Sequence, residues 1–240
     1  MNNVTCDEIS AGGLKLLQPA EGVRVNMDTV LLSSWVKIRA GHHEVLEAGC
    51  ASGAVSLMLA VRHKNIHVTG VDIQPELVEL AELNAKNNAL SDRVKFIHGD
   101  LRDKNIFPRE CFDVLVINPP YESTHAGRPS PDASRTTARL EITCTPDDVA
   151  ELSSRVLKSN GRMFAVFTSE RLDVFMSAMM RKKIIPKRLL PVYPKKNHNS
   201  SVFLIECVKN GGEGLMLLSP LLVRDENNEY TPELLRAYDF

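Results

Sequence analysis

Apolar residues in this chain fall into short runs whose period changes in a regular order. Val45 to Ala48, His67 to Val71, Val94 to His98 and Phe112 to Ile117 are brief stretches rich in β-branched residues. They are set off by glycine, proline, asparagine or aspartate and read as strands. Between them, Ala54 to about Arg62 and Pro75 to Asn88 carry apolar residues at helical spacing. The order continues with a helix over Pro146 to Leu157, a strand over Arg162 to Phe167 and a helix near Leu172 to Lys182. Two last strands follow, Ile184 to Val192 and Ser201 to Val208. Ahead of the first strand, Gly22 to Ile38 holds the helical run Val30-Leu31-Leu32-Ser33-Ser34-Trp35-Val36, with Asp28 and Thr29 as candidate N-caps. Pro75 and Pro146 sit where a first-turn proline is tolerated, and Thr145 with Asp148 forms a capping-box pattern. Alternating strands and helices predict parallel strands joined by crossover helices, hence an α/β fold.

The tail from Gly211, with Gly211-Gly212 and a charged turn at Asp225-Glu226-Asn227-Asn228, reads as a hairpin and a short final helix on the same domain. No internal repeat and no linker divides the chain, so one domain is expected over 1–240. The segment from Glu122 to Ile142 is a long loop containing Gly127, Pro129 and Pro131 with Arg128, Arg135 and Arg139. A loop of that length is either a substrate-ordered lid or a solvated insertion.

Composition narrows the class. At 240 residues and 43% apolar content the chain can bury a sizeable core and is expected to be soluble and globular. No run approaches the roughly 18 apolar residues of a membrane span, and Met1 to Ser10 lacks a basic start followed by an apolar stretch. A cytoplasmic location is the default expectation, with no membrane partner. The five cysteines are dispersed without a Cys-x-x-Cys pair, which indicates neither a disulfide framework nor a metal site. A net charge of −1 does not by itself argue for nucleic acid. However, Val174 to Ile205 contains no acidic residue and holds Arg181, Lys182, Lys183, Lys187, Arg188, Lys195 and Lys196. This stretch is either a phosphate-binding surface or an ordinary solvated face.

The chemistry gathers at the ends of the strands. Phe112 to Ile117 runs into Asn118-Pro119-Pro120-Tyr121. The prolines stiffen the turn and remove backbone donors, while the asparagine carboxamide both accepts and donates. Such a turn can simply end a strand. It can also grip a planar amino group between the Asn118 side-chain oxygen and the Pro119 carbonyl, with Tyr121 stacking on the substrate. The first strand ends in Glu47-Ala48-Gly49-Cys50-Ala51-Ser52-Gly53, a glycine loop opening a helix, which lets a ligand approach backbone closely. The spacing is not the Gly-x-Gly-x-x-Gly of nicotinamide-binding loops. Asp72 ends the next strand, where a carboxylate can accept from both hydroxyls of a ribose, and Asp100 follows the third, beside the Leu101 N–H. Each carboxylate alone could be a helix cap or an exposed loop charge. A glycine loop, Asp72, Asp100 and Asn118 at four successive strand ends mark the edge of an open sheet where ligands bind.

With those residues in place the chain resembles the class I S-adenosylmethionine-dependent methyltransferases, and its Asn-Pro-Pro-Tyr turn resembles those that methylate a planar amino or amide nitrogen. The resemblance implies a Rossmann-like, doubly wound, mostly parallel seven-stranded sheet with helices on both faces. S-adenosyl-L-methionine is the implied cofactor, with Glu47, Gly49, Cys50, Gly53, Asp72, Ile73, Asp100, Leu101 and Asn118 as its binding residues. Ala51 departs from the second glycine common there. Gln18-Pro19, the block Gly22 to Leu32, Ala138-Arg139-Leu140-Glu141 and Asn228 to Glu233 are similar to the tRNA1(Val) adenine-37 N6-methyltransferase family. That similarity implies Asn118, Pro119 and Tyr121 as the residues holding a target adenine. It also implies 1–42 as a segment closing over the cofactor through Asp28 and Thr29, 43–210 as the core, and RNA, with tRNA favoured, as partner. Arg128 and the seven basic residues of 181–196 are then candidate RNA contacts. Methylation of a protein glutamine, or of a base in ribosomal RNA or DNA, stays open, as does a binding module without catalysis. The sequence does not set the oligomeric state.

Overall fold

A run such as Val114-Leu115-Val116-Ile117 has no polar face to offer water, so it fits only an interior strand covered on both sides. The computed structural model, which describes residues 4–9, 13–119 and 144–239, places it there as part of β6 (Phe112–Ile117), every residue buried. The strands of the main sheet before it are β3 (Glu44–Ala48), β4 (His67–Asp72) and β5 (Val94–His98). Those after it are β7 (Leu157–Thr168), β8 (Ile184–Tyr193) and β9 (Val202–Lys209). The helices are α1 (Met27–Trp35), α2 (Ala54–Arg62), α3 (Pro75–Asn87), α4 (Pro146–Val156), α5 (Leu172–Arg181) and the short α6 (Pro232–Leu235).

These seven strands pair in the order β8-β9-β7-β6-β3-β4-β5, and two short strands added along β8 bring the sheet to nine rather than the expected seven. All neighbours are parallel except β9, which is antiparallel to both β7 and β8. One apolar cluster packs α1, α2 and α3 on one face, and a second packs α4 and α5 on the other. The expected mostly parallel α/β sheet with helices on both faces is therefore what the chain forms. Because β3 lies between β4 and β6, chain direction across the sheet reverses beside it, and a crevice opens at the carboxyl ends of these strands. Among the described residues no helix is long and apolar enough to cross a membrane.

Local signals held where side chains close hydrogen bonds nearby. Thr145 caps α4 in a reciprocal box with Asp148, and Pro75 and Pro146 occupy first-turn positions. The start of α1 differs from expectation. Asn26, not Asp28 or Thr29, is the N-cap: its side chain accepts the Thr29 N–H at 3.0 Å, and Asp28 and Thr29 lie inside the first turn. The tail also differs, since β10 (Met216–Leu217) and β11 (Leu221–Leu222) each pair in parallel with β8 rather than with each other. The expected hairpin shrinks to an antiparallel bridge between Arg224 and Tyr230. It closes on Asp225, whose carboxylate accepts the Asn227 and Glu229 N–H groups. Ahead of α1 lies an antiparallel pair, β1 (Val4–Glu8) and β2 (Lys15–Pro19), that apolar periodicity did not signal.

One carboxylate deep in the sheet gathers charge from three elements. Glu206 on β9 is 1% exposed and is ion-paired with Arg162 of β7, with Arg188 of β8 at 3.1 Å and with Arg39 at 4.0 Å. Removing it strands the Arg162 and Arg188 guanidinium groups, which are largely shielded from water around it. Glu206→Ala is expected to cost about 3–5 kcal/mol, read as a lower urea midpoint.

Candidate active site

The glycine loop is shaped by the strand beneath it. Gly49 turns with φ 70°, and the N–H groups of Gly49 and Cys50 both donate to the Val71 carbonyl, at 2.8 and 3.0 Å. The loop is thereby folded over the end of β4. Gly53 has φ 83°, and a Cβ there would come within 2.6 Å of the Phe96 ring. Phe96 in turn fits because Gly70 also lacks a side chain, a Cβ at that position falling 2.4 Å from the same ring. Ala51 has φ 46°. The position where this chain lacks the second glycine therefore adopts the left-handed conformation that glycine tolerates and an L-residue resists.

Asp72 ties two loops together. One carboxylate oxygen accepts the Ala51 N–H at 2.8 Å and the other the Gln74 N–H at 3.0 Å. At the end of β3, Glu47 is buried and its Oε2 accepts both the N–H and the hydroxyl of Ser56. Burial pushes the Glu47 carboxyl up to about 8. The Ser56 hydrogen bonds pull it back in part, and the charge of Asp72 pushes it further. Asp100 is held by its neighbour: the Arg102 guanidinium forks across both carboxylate oxygens, with Nη2 at 2.6 Å. That grip keeps the Asp100 carboxyl below the ordinary range.

Asn118 closes the set. Its side-chain nitrogen donates to the Thr29 hydroxyl at 3.5 Å, and that hydroxyl donates to Asn26 at 3.0 Å. The end of β6 is thereby connected to the start of α1. These groups surround one cleft of about 410 Å³, lined by Glu47, Gly49, Cys50, Ala51, Asp72, Ile73, Asp100, Leu101, Asn118 and Pro119. Thr29 and the segment Gly22 to Asn26 form another wall. Of the candidate residues, Gly53 does not line the cleft; it is the N-cap of α2 and packs against Phe96. Asp28 does not line the cleft, and its charge bears on Tyr238 instead. Burial raises the Asp28 carboxyl. Tyr121 and Arg128 lie outside the described residues, as does the long loop 122–142. Gln74, Arg102 and Cys144 also line the cleft and were not read from the sequence. For Arg102 the signal was its place two residues after Asp100, where its own N–H also bonds the carboxylate.

The basic stretch does not form one face. Arg181 pairs with Asp147, Lys182 with Glu151, Arg188 with Glu206 and Lys196 with Glu226. Lys187 donates to the Gly212 and Glu213 carbonyls. The sheet also splits it. β8 runs in the direction of β6, so Arg181 to Lys183 lie at the edge opposite the cleft. The turn from Pro194 to Ser201, with Lys195, emerges at the cleft edge.

A family model described as a methyltransferase domain matches residues 40–189. The chain is 29% identical over 224 residues to a Porphyromonas gingivalis protein named tRNA1(Val) (adenine(37)-N6)-methyltransferase, covering 89% of this chain and 86% of the relative. It is 30% identical over 178 residues to a Vibrio vulnificus protein of the same name, covering 73% and 72%. The chain belongs to the methyltransferase-domain family, and to the family of the Vibrio protein. Among solved structures, one described as a predicted O-methyltransferase from Agrobacterium tumefaciens superposes with a TM-score of 0.69 at 19% identity, covering 88% of this methyltransferase and 97% of the neighbour. The fold is shared with it. The cofactor of the methyltransferase is S-adenosylmethionine, and the cleft fits such a molecule. Glycine and left-handed backbone leave room beside the Gly49–Gly53 loop, and acidic groups at three successive strand ends offer acceptors for hydroxyl and amino groups.

Two expectations follow from this geometry. The unfolded chain ionises Glu47 near 4.5, whereas the native state holds its proton to about 8. Native stability of the unliganded protein should therefore fall, by a few kcal/mol at most, as pH rises through that window. Glu47→Gln, which cannot ionise, flattens the decline in urea titrations run at each pH. Ala51→Gly relieves the positive φ and should raise stability by about 0.5–1 kcal/mol, the strain released exceeding the entropy glycine adds to the unfolded chain. The readout is a higher urea midpoint at unchanged slope.

Proposed function

We propose that this methyltransferase methylates the exocyclic N6 of an adenine in tRNA, with adenine 37 of the anticodon loop as the target. The observation that carries the reading is the position of Asn118. Its carboxamide stands at the carboxyl end of β6, on the cleft shared by Asp72 and Asp100, with its nitrogen turned to Thr29. The names of relatives at 29% and 30% identity point to the same substrate.

In this reading Asp72 accepts from the ribose hydroxyls of the cofactor, Asp100 and the Leu101 N–H meet its adenine, and Glu47 with Gly49 and Cys50 faces its methionine end. Bound there, S-adenosylmethionine supplies a methyl group on a positively charged sulfur. The residues of the chain contribute orientation. Asn118 Oδ1 and the Pro119 carbonyl accept the two N–H bonds of the adenine amino group, which turns its lone pair out of conjugation and towards the cleft. Fixing that geometry is where most of the rate gain arises. A paired base could not enter, so the target is a loop base or one flipped from its stack. Tyr121, two residues beyond Pro119 in the sequence, is assigned the stacking role. Lys195, in the turn at the cleft edge, is the residue of the basic stretch best placed to meet RNA phosphates. It makes no ion pair among the described residues.

The test supplies labelled cofactor with separate pools of tRNA, ribosomal RNA, DNA and protein, then identifies the methylated nucleoside. Label is expected in tRNA as N6-methyladenosine. Label confined to the protein pool would overturn the reading. Asn118→Ala should lower methyl transfer at least about 100-fold, a loss much larger than any loss of cofactor affinity. Lys195→Ala should raise the KM for tRNA and reduce the salt slope of binding by about one.

A further inference from the structure

Asn84 is a polar residue on a helix that should carry only apolar side chains inward. It lies in α3, is 0% exposed, and its carboxamide is fully engaged with parts of the chain far apart in sequence. Its oxygen accepts the Leu17 N–H at 2.8 Å, and its nitrogen donates to the Leu17 carbonyl at 2.9 Å and to the Ser52 carbonyl at 3.0 Å. One turn later, Asn88 repeats the first half of this pattern. It accepts the Lys15 N–H at 3.2 Å and donates to the Lys15 carbonyl at 2.7 Å. Lys15 and Leu17 are alternate residues of β2, so their peptide groups point to the side of the strand away from β1. Asn84 in the last turn of α3 and Asn88 at its C-cap, spaced i and i+4, thus stand in for a third strand, and they fix the hairpin to α3 in a single register.

The two asparagines differ in one respect. Asn88 holds only the hairpin, its other bond being to the Asn84 carbonyl of its own helix. Asn84 also holds Ser52, inside the glycine loop. The segment Gly22 to Asn26, a wall of the cleft, follows β2 directly. Both walls are therefore referred to one buried amide.

We infer that Asn84 is a positioning residue that couples the N-terminal hairpin to the glycine loop, so that docking of the 13–26 segment and filling of the cofactor cleft stabilise each other. The inference rests on the cleft being the cofactor site. Coupling of this kind is reciprocal: whatever the docked segment adds to ligand affinity, the ligand returns as resistance of the segment to opening.

The probe is S-adenosylhomocysteine, which binds without turnover, with calorimetry and tryptic cleavage at Lys15 and Arg24 as readouts. In the unsubstituted protein, saturating ligand should slow cleavage at both positions about fivefold or more. Asn84→Asp keeps the shape and the acceptor for the Leu17 N–H but cannot donate to the Leu17 or Ser52 carbonyls. It should weaken ligand binding about tenfold or more and abolish the ligand-dependent protection, with turnover at saturating cofactor much less affected. Asn88→Ala should speed cleavage but leave affinity within about threefold. Three results would overturn the coupling: no protection by ligand in the unsubstituted protein, affinity of the Asn84→Asp protein within twofold of normal, or an equal loss from Asn88→Ala. The unsubstituted protein decides the matter even if the Asn84 variant does not fold. Failure of the ligand to bind at all sinks the cofactor assignment instead, and failure to methylate tRNA leaves the affinity measurements standing.

Discussion

The cleft depends on the two hydrogen bonds that Asp72 accepts. Parallel strands end in loops that share no ladder bonds, so something else must set the distance between the loop after β3 and the loop after β4. Asp72 does this with one carboxylate, one oxygen to the Ala51 N–H and the other to the Gln74 N–H. Each oxygen has a second lone pair, so the group can hold the two loops and still accept from a ligand between them. The Val71 carbonyl reinforces the arrangement by accepting from both Gly49 and Cys50. Loop shape and ligand recognition are for this reason inseparable at this position. Ala51 donates that hydrogen bond and takes its left-handed φ within the same tight turn.

What could be read from the sequence follows the range of the forces involved. Strands such as Phe112 to Ile117 were legible because a continuous apolar run has few alternatives, and Thr145 with Asp148 because a capping box closes within one turn. The strand-end residues were legible as a set: Asp72, Asp100 and Asn118 do share one cleft with the glycine loop. The N-cap of α1 was missed by two residues, since Asn26 precedes the apolar run by more than the usual spacing. The β1–β2 pair was not legible at all. Val4 to Glu8 shows no alternation, and β2 is held from outside by the side chains of Asn84 and Asn88, some seventy residues distant.

Charge was the least legible property, because its partners come from elsewhere in the chain. Val174 to Ile205 contains no acid, yet four of its seven basic side chains meet carboxylates at positions 147, 151, 206 and 226. Direction matters equally. A strand of ten residues separates Arg181–Lys183 from Lys195 by the full height of the sheet. A sequence window counts such charges as one patch, and the fold divides them between opposite edges.

The two carboxyl groups flanking Asp72 around the cleft show how the same side-chain chemistry is set to different states. Glu47 is enclosed by apolar strands and one serine, so burial dominates and the group holds its proton to about 8. Asp100 stands near the surface with a guanidinium across both oxygens, so it stays ionised to lower pH than an ordinary aspartate. At neutral pH the first can donate a hydrogen bond while the second only accepts. A cation arriving beside Glu47 would favour loss of its proton, whereas an amino group arriving at Asp100 meets an acceptor already charged and has to share it with Arg102. The cleft therefore has a responsive end and a fixed end, and the difference arises from burial in one case and from a neighbour two residues away in the other.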